Sequence, residues 1–417
     1  MKAIFGIVIF FSATTTLAQI DSTNARPNQL MTPTPASTPS DYRWTIYASG
    51  NYHNNSNAVT NHFFKIFEYQ RGFIDSETKD ETSKRLRNVN RFGADVRTEA
   101  YAARKLNNEF TFALGATYRN FTAVRFPADV YELMFRGNKT YAGKTAQLSK
   151  LSFTRFHYAS FDSYVFKNVK SHLTLGAGLS LIRGGKVRLA KIRSGELFTE
   201  ETGQYIDLDS DISYSFSPKD TARKNKSNGI GAAIHVFARL NQNNTQISFE
   251  LRDIGLIRWE KLIQYSGDSA YRYSGLIVND LFSTTDASLV SDLNVDSIAR
   301  QLNIHKKETN KLMVIPFSIR LNMIRQLSNK KWMAGIDYLY TAGYLPRVYA
   351  GIEYGKSVFF SGKVAYGGFG RIDYELGAGY QKANTFRVSA NFIIIEYLLL
   401  PKSTSGHGFT LTIEKKI

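Results

Sequence analysis

Cysteine is missing from all 417 residues, so the chain has neither a disulfide framework nor a site for an acylated lipoprotein start. Long apolar runs are missing as well. Phe392–Leu400 is interrupted by Glu396, far short of the ~20 apolar residues a spanning helix needs. A mean hydropathy of −0.27 also speaks against a bundle of membrane helices. Histidine is sparse: His53, His62, His157, His172, His235, His305 and His407 are scattered without ligand spacing, so neither a metal site nor any other cofactor is expected. Acid is scarce beside base, with 35 Asp+Glu against 53 Lys+Arg and a formal net charge of +18. Hydrophobic residues nonetheless reach 43%, which excludes a disordered chain. Aromatics reach 13%, with 24 Tyr and 29 Phe, a composition suited to strands and interfaces.

The first residues read as an export signal. Met1-Lys2 is followed by the apolar run Ala3–Phe11 and by Thr16-Leu17-Ala18, which predicts cleavage between Ala18 and Gln19. Residues 19–41 hold Pro27, Pro33, Pro35 and Pro39 among Thr, Ser and Asn and read as a linker. Export also changes what the basic excess means. It directs the chain away from nucleic acid and toward anionic outer-membrane lipid and lipopolysaccharide phosphates, with solvated loop charge as the other reading.

From residue 42 to 417 the dominant signal is period two. Phe110-Phe112-Leu114-Ala116-Tyr118, Leu173-Leu175-Ala177-Leu179-Leu181 and Ile230-Ala232-Ile234-Val236-Ala238-Leu240 alternate with other residues. So do Met313-Ile315-Phe317-Ile319-Leu321-Met323 and a succession of segments to Phe409-Leu411-Ile413. Segments about ten residues long, separated by short polar gaps, predict an all-β fold: an antiparallel transmembrane β-barrel of about 14 strands (12–16) with little helix. Tyr42, Trp44, Tyr118, Trp332, Tyr340, Tyr354, Tyr366 and Tyr380 near segment ends read as an aromatic girdle. Long loops or plugs are expected at 53–90, 123–149 and 266–310, with helices near His62–Gln70 and Asp296–Leu302.

If the apolar stripe faces lipid, Glu250, Arg252, Arg320, Asp337, Glu353, Lys363, Asp373, Glu375 and Arg387 face the lumen. A wall of both signs either pairs internally and seals the centre or lines a polar path. Arg183, Lys186, Arg188, Lys191 and Arg193, at the end of a strand beside Gly184-Gly185, are the candidate contacts to lipid phosphate. Gly267-Asp268-Ser269, taken as a loop, lacks the His and Asp pattern of a hydrolase. Gly176/Gly178 and Gly377/Gly379 read as bends or bulges within strands. No catalytic residue is assigned and no enzyme is expected.

Three segments carry a resemblance: Leu133–Gly143, Gly178–Gly185 and Phe249–Trp259 (FELRDIGLIRW). Their order and spacing resemble an uncharacterised Bacteroidota family of outer-membrane β-barrels, distantly similar to the long-chain fatty-acid transporter barrels. The resemblance implies an outer-membrane barrel of about fourteen strands and assigns no substrate or site residue. The chain lacks the Asn-Pro-Ala start of those transporters, which leaves an N-terminal plug without support, and its last residue is Ile417 rather than an aromatic. The expectation is a barrel concerned with passage of a hydrophobic or amphipathic small molecule, inserted by the barrel-assembly machinery. The alternative is a scaffold that anchors surface or secretion partners through its loops.

Overall fold

The computed structural model describes residues 43–70, 72–218, 228–274, 304–382, 385–393 and 400–417. The expected leader, its cleavage site at Ala18 and Gln19, the linker, and the helix at Asp296–Leu302 lie outside the described residues.

The strands are β1 (Trp44–Ser56), β2 (Asn90–Lys105), β3 (Phe110–Phe126), β4 (Lys144–Gln147), β5 (Ser152–Lys170), β6 (Leu173–Thr199), β7 (Ile206–Phe216), β8 (Gly229–Gln242), β9 (Thr245–Tyr273), β10 (His305–Val314), β11 (Ser318–Leu327), β12 (Lys330–Leu339), β13 (Leu345–Gly355), β14 (Val358–Gly368), β15 (Ile372–Lys382), β16 (Phe386–Ile393) and β17 (His407–Lys416). β1 pairs with both β2 and β17, so the sheet closes on itself. Three staves are broken. β4 and β5 share one side of β6, β7 and β8 the other, and β10 and β11 share one side of β9. Counted as staves, they give a closed antiparallel barrel of 14 strands.

The pleat explains the wall. Leu175, Leu179, Leu181, Phe161, Ile234, Phe249, Leu321, Val348, Phe360 and Leu376 are exposed on the outside, where an apolar band meets acyl chains. Trp332, Tyr354 and Tyr380 are exposed near the short-turn end, and Tyr340 and Tyr366 near the other end. Among the described residues no helix is long and apolar enough to cross a membrane.

Several elements depart from the sequence expectation. β1 runs to Ser56 and β3 to Phe126, while residues 266–273 belong to β9 and 305–310 to β10. The loops are therefore shorter than 53–90, 123–149 and 266–310. Beyond the acyl chains a strand needs no apolar stripe, so alternation fades before the strand does. Gly267-Asp268-Ser269 lies within β9, paired with β7, and not in a loop. Met313 and Ile315 are buried inside, whereas Ile319, Leu321 and Met323 are exposed outside. The segment is not one face, because the break at Ile315–Phe317 around Pro316 resets the phase.

The glycine pairs are not bends. The register shifts of β5 on β6 fall elsewhere. A Cβ on Gly176 or Gly178 would lie 2.3 Å from the Phe166 or Tyr164 ring, and one on Gly379 would lie 2.2 Å from Phe359. At these three positions the absent side chain lets an aromatic ring lie flat on the inner wall, and at Gly377 it leaves room for the Asn391 amide.

The helices gather at the long-loop end: α1 (Asn61–Phe64), α2 (Ser76–Ser83) and α3 (Ala128–Arg136). α1 continues as a π turn, Lys65–Gln70, over the helix expected at His62–Gln70. Thr60 caps α1 by accepting from the Phe63 amide at 3.1 Å. Asp75 caps α2 by accepting from the Thr78 amide at 2.8 Å. α3 starts after Pro127 and ends where Gly137 takes φ +82°. Arg136 joins Asp80, tying α3 to α2, and Asn61 Nδ2 donates to the Gly406 carbonyl at 2.8 Å, tying α1 to the β16–β17 loop.

Candidate functional site

The lumen is crossed at mid-height by an ionic chord. β2 and β9 stand apart in the wall, with β3, β5, β6 and β8 between them on one side. Inward-facing Arg97 on β2 nevertheless reaches Asp253 on β9 at 2.8 Å, and Arg252 reaches Glu99 at 2.9 Å. Arg119 on β3 contacts Asp253 at 3.3 Å and Asp95 at 2.9 Å, and donates to the Pro316 carbonyl at 3.0 Å. Asp253 can join this chord because a bulge places it, with φ +65°, beside inward-facing Arg252.

On one side of the chord the interior is packed with side chains. Tyr47, Tyr101, Tyr164, Phe166 and Phe237 form one cluster. Trp259, Ile257, Phe156, Tyr158 and Val187 form another toward the loop end. On the other side, His53, Asp95, Arg119, Arg320 and Asp337 help line a polar cavity of about 110 Å³, room for ordered water rather than a wide pore.

All nine residues assigned to the lumen from sequence lie on the inner face, each in an ion pair. Glu250 faces Arg320 at 3.8 Å, and Arg252 holds Glu99. Asp337 and Asp373 flank Arg347 at 3.5 Å each. Glu353 takes Lys331 and Arg387 at 2.7 Å each, and Lys363 pairs with Glu375. The chord residues Asp95, Arg97, Glu99, Arg119 and Asp253 were missed. Beyond Phe92 and Val96 the outer face of β2 holds only Ala and Thr until Arg104, yet Arg91, Asp95, Arg97 and Glu99 recur at even spacing, a charge period that marks a lumen strand.

The interior also brings Ser180, His235 and Asp253 together. Ser180 Oγ lies 2.6 Å from His235 Nε2. His235 Nδ1, however, accepts from the Asp253 backbone amide at 3.1 Å. In the neutral ring the proton therefore sits on Nε2 and is donated to Ser180, whose hydroxyl donates to Asp162 at 2.5 Å. A base for serine needs the opposite tautomer. These residues act as a buried hydrogen-bond network.

The second candidate site lies at the loop end on the outside of the wall. Phe92, Val124 and Phe153 form a row across β2, β3 and β5. α1 and its π turn cover the row with Phe63, Phe64 and Phe67, and α3 covers it with Val130, Tyr131, Met134 and Phe135. Phe63 meets Phe135 edge-on at 4.8 Å, and Tyr131 lies 4.8 Å from Phe135. Between them is a cavity of about 180 Å³ with an almost wholly apolar lining, Glu68 at its margin.

The basic run does not share one face, nor does it end a strand, since β6 continues to Thr199. Past Gly184-Gly185, Lys186 and Arg188 face outward. Lys191 and Arg193 have the opposite phase, set by the pairing of β5 with β6, and Arg193 is bound to Asp211. Arg183 is exposed on the outside below the glycines. Among the described residues no group of His, Asp or Glu has the arrangement of a metal site.

A family profile described as a family of unknown function, DUF5723, matches residues 35–383. The chain belongs to this family. A comparison with curated proteins finds no match. Among solved structures, a monoaromatic hydrocarbon channel, the TodX deltaS2S3 mutant, is similar at 10% identity and TM-score 0.47, covering 91% of each chain. A Pseudomonas aeruginosa FadL homologue is similar at 11% identity and TM-score 0.44, covering 90% of each chain. The P. putida toluene transporter TodX is similar at 9% identity and TM-score 0.44, covering 92% of this chain and 93% of that one.

Proposed function

We propose that the protein is an outer-membrane barrel that binds a hydrophobic or amphipathic small molecule at its loop end and takes part in its passage. The apolar band, the short turns at one end and the long loops at the other are the organisation of bacterial outer-membrane barrels, whose long loops face outward. The apolar cavity under α1 and α3 carries the reading. A site of about 180 Å³ with almost no polar lining recognises its occupant by partition and shape. The ionic chord argues against free diffusion of polar solutes, because three arginines and three carboxylates join opposite walls. No covalent step is required.

The test is saturable binding of N-phenyl-1-naphthylamine to the detergent-purified barrel, read by fluorescence. Met134→Trp, which fills the cavity, abolishes binding, and planar bilayers show no large stable currents. Binding unchanged in Met134→Trp, or large steady currents, would overturn the reading. The scaffold alternative is favoured by one observation, the extension of β6 and β9 beyond the apolar band. A stoichiometric protein partner from native membranes, together with no apolar binding, would install it.

A further inference from the structure

We propose that the outer wall of β5 and β6 carries a site for the phosphate groups of an outer-leaflet glycolipid, built from Arg155, His157, Lys186 and Arg188. This inference rests on the outer-membrane orientation above but not on the apolar cavity.

Height in the membrane is the first support. On β6 the outward apolar positions run from Leu173 to Leu181, nine residues. At about 3.3 Å per residue and a tilt of about 40° they rise roughly 23 Å, the height of an apolar band. The outward pairs above are Ala159 opposite Arg183, then His157 opposite Lys186, then Arg155 opposite Arg188. They stand where acyl chains give way to headgroups. The Tyr118 ring lies edge-on to His157 at 5.1 Å, an aromatic at the same boundary.

The second support is the bulge. Register shifts between His157 and Tyr158, leaving Gly185 as the extra residue of β6. Without it, alternation from Leu181 and Arg183 would turn Lys186 and Arg188 into the lumen and Val187 out to lipid. With it, Val187 is 1% exposed within the Trp259 cluster, and both cations face the leaflet. A Cβ at Gly185 would lie 2.9 Å from His157 Nδ1, so the close fit depends on glycine. Bulges re-aim side chains in this way.

Charge is the third. Like charges directly opposite across a ladder repel, and here Arg155 stands directly opposite Arg188 with Lys186 two residues away on the same face. Among the described residues the side chains of Lys186 and Arg188 make no hydrogen bond or ion pair. Arg155 donates to Asn120 Oδ1 at 3.4 Å and has Glu68 within electrostatic reach. Glu68 thus bears on Arg155, with Lys186 and Arg188 beside it on the same outer face. A phosphate between Arg155 and Arg188 accepts from both guanidinium groups and relieves their repulsion, and Lys186 supplies a point charge beside it.

The experiment uses the full-length barrel, purified and delipidated in neutral detergent, with native mass spectrometry of added diphosphoryl lipid A and of its dephosphorylated analogue. Wild-type protein retains the phosphorylated lipid. R155Q/R188Q weakens it by at least roughly tenfold, while K191Q, from the same basic run but the other face, leaves it unchanged. The dephosphorylated lipid binds both proteins equally weakly. Heat-modified mobility on gels and unaltered N-phenyl-1-naphthylamine binding verify that R155Q/R188Q is folded with its loop end intact. Equal binding of phosphorylated lipid by wild type and R155Q/R188Q overturns the site, as does equal binding of the two lipids by wild type. Displacement by millimolar inorganic phosphate with no dependence on the acyl chains would overturn a lipid as the occupant. Loss of naphthylamine binding from wild type alone would sink the cavity reading and leave the phosphate site standing.

Discussion

Asp253 is the residue on which the two walls of the barrel converge, and Asp253→Asn tests what the chord does. Asparagine keeps the shape of the side chain and tolerates the φ of +65° at the bulge, so the change removes charge and little else. Two charge-assisted contacts are affected, from Arg97 at 2.8 Å and from Arg119 at 3.3 Å. Hydrogen bonds to charged groups contribute about 1.5–3 kcal/mol and neutral ones about 0.5–1.5. Each contact therefore weakens by roughly 1 kcal/mol, about 2 in all. The loss stays moderate because Arg97 keeps Glu99 at 3.1 Å and Arg119 keeps Asp95 at 2.9 Å. A shift of about 2 kcal/mol moves the balance between sealed and unsealed lumen by about thirtyfold. Planar bilayer recordings of Asp253→Asn are expected to show brief openings about thirty times as often as wild type, and the urea midpoint falls. If Asp253→Asn loses stability while its bilayer trace is indistinguishable from wild type, the chord braces the barrel without closing it, and the reasoning fails.

Three further outcomes follow from the packing and the loops. Gly178→Val is expected to cost about 1–3 kcal/mol by overpacking, since even a Cβ would meet the Tyr164 ring at 2.3 Å; the urea midpoint measures it, and an unchanged midpoint would mean the ring moves freely. Lys363→Met leaves Glu375 buried without its cation and is expected to cost about 3 kcal/mol, most of which K363M/E375L recovers; a double variant no better than the single one would refute this. At the loop end, the hydrogen bond from the Thr78 amide holds the Asp75 carboxyl below its ordinary 3.8. A depressed folded-state pKa stabilises α2 above pH 3.8, and that support is lost as pH falls further. Helical carbon shifts of Thr78 should persist at pH 5 and fade below 3.8, with no such step in Asp75→Asn.

Much of the barrel was legible because lipid enforces a simple rule on every second residue. Segments from Trp332 to Phe392 touch acyl chains along most of their length, so their period and strand count could be read directly. Legibility failed where that rule lapses. Between Phe92 and Val96 and beyond them β2 presents Ala94, Thr98, Ala100 and Ala102 outward, a stripe too broken by small and polar residues to stand out, so a whole stave and its chord residues went unnoticed. Bulges cost the rest. Asp253 and Gly185 each shift the phase by one, which hid one lumen carboxylate and made a split basic run look like a single patch. The apolar cavity is assembled from Phe63, Met134 and Phe153, far apart in the chain, and no local pattern announces it. The Ser180–His235 contact shows the converse: proximity alone suggests chemistry, and only the direction of the Asp253 amide removes it.

The uneven lengths of the staves tilt the mouth. β6 continues 18 residues past Leu181 to Thr199, a climb of roughly 45 Å at a usual strand inclination. On the far side, β12 returns to β13 through Tyr340–Tyr344 and β14 to β15 through Phe369–Arg371, almost level with the bilayer. The rim is therefore a parapet with a gap. Access to the mouth is lopsided: a tall ribbon closes one quarter and a low threshold leaves the other open.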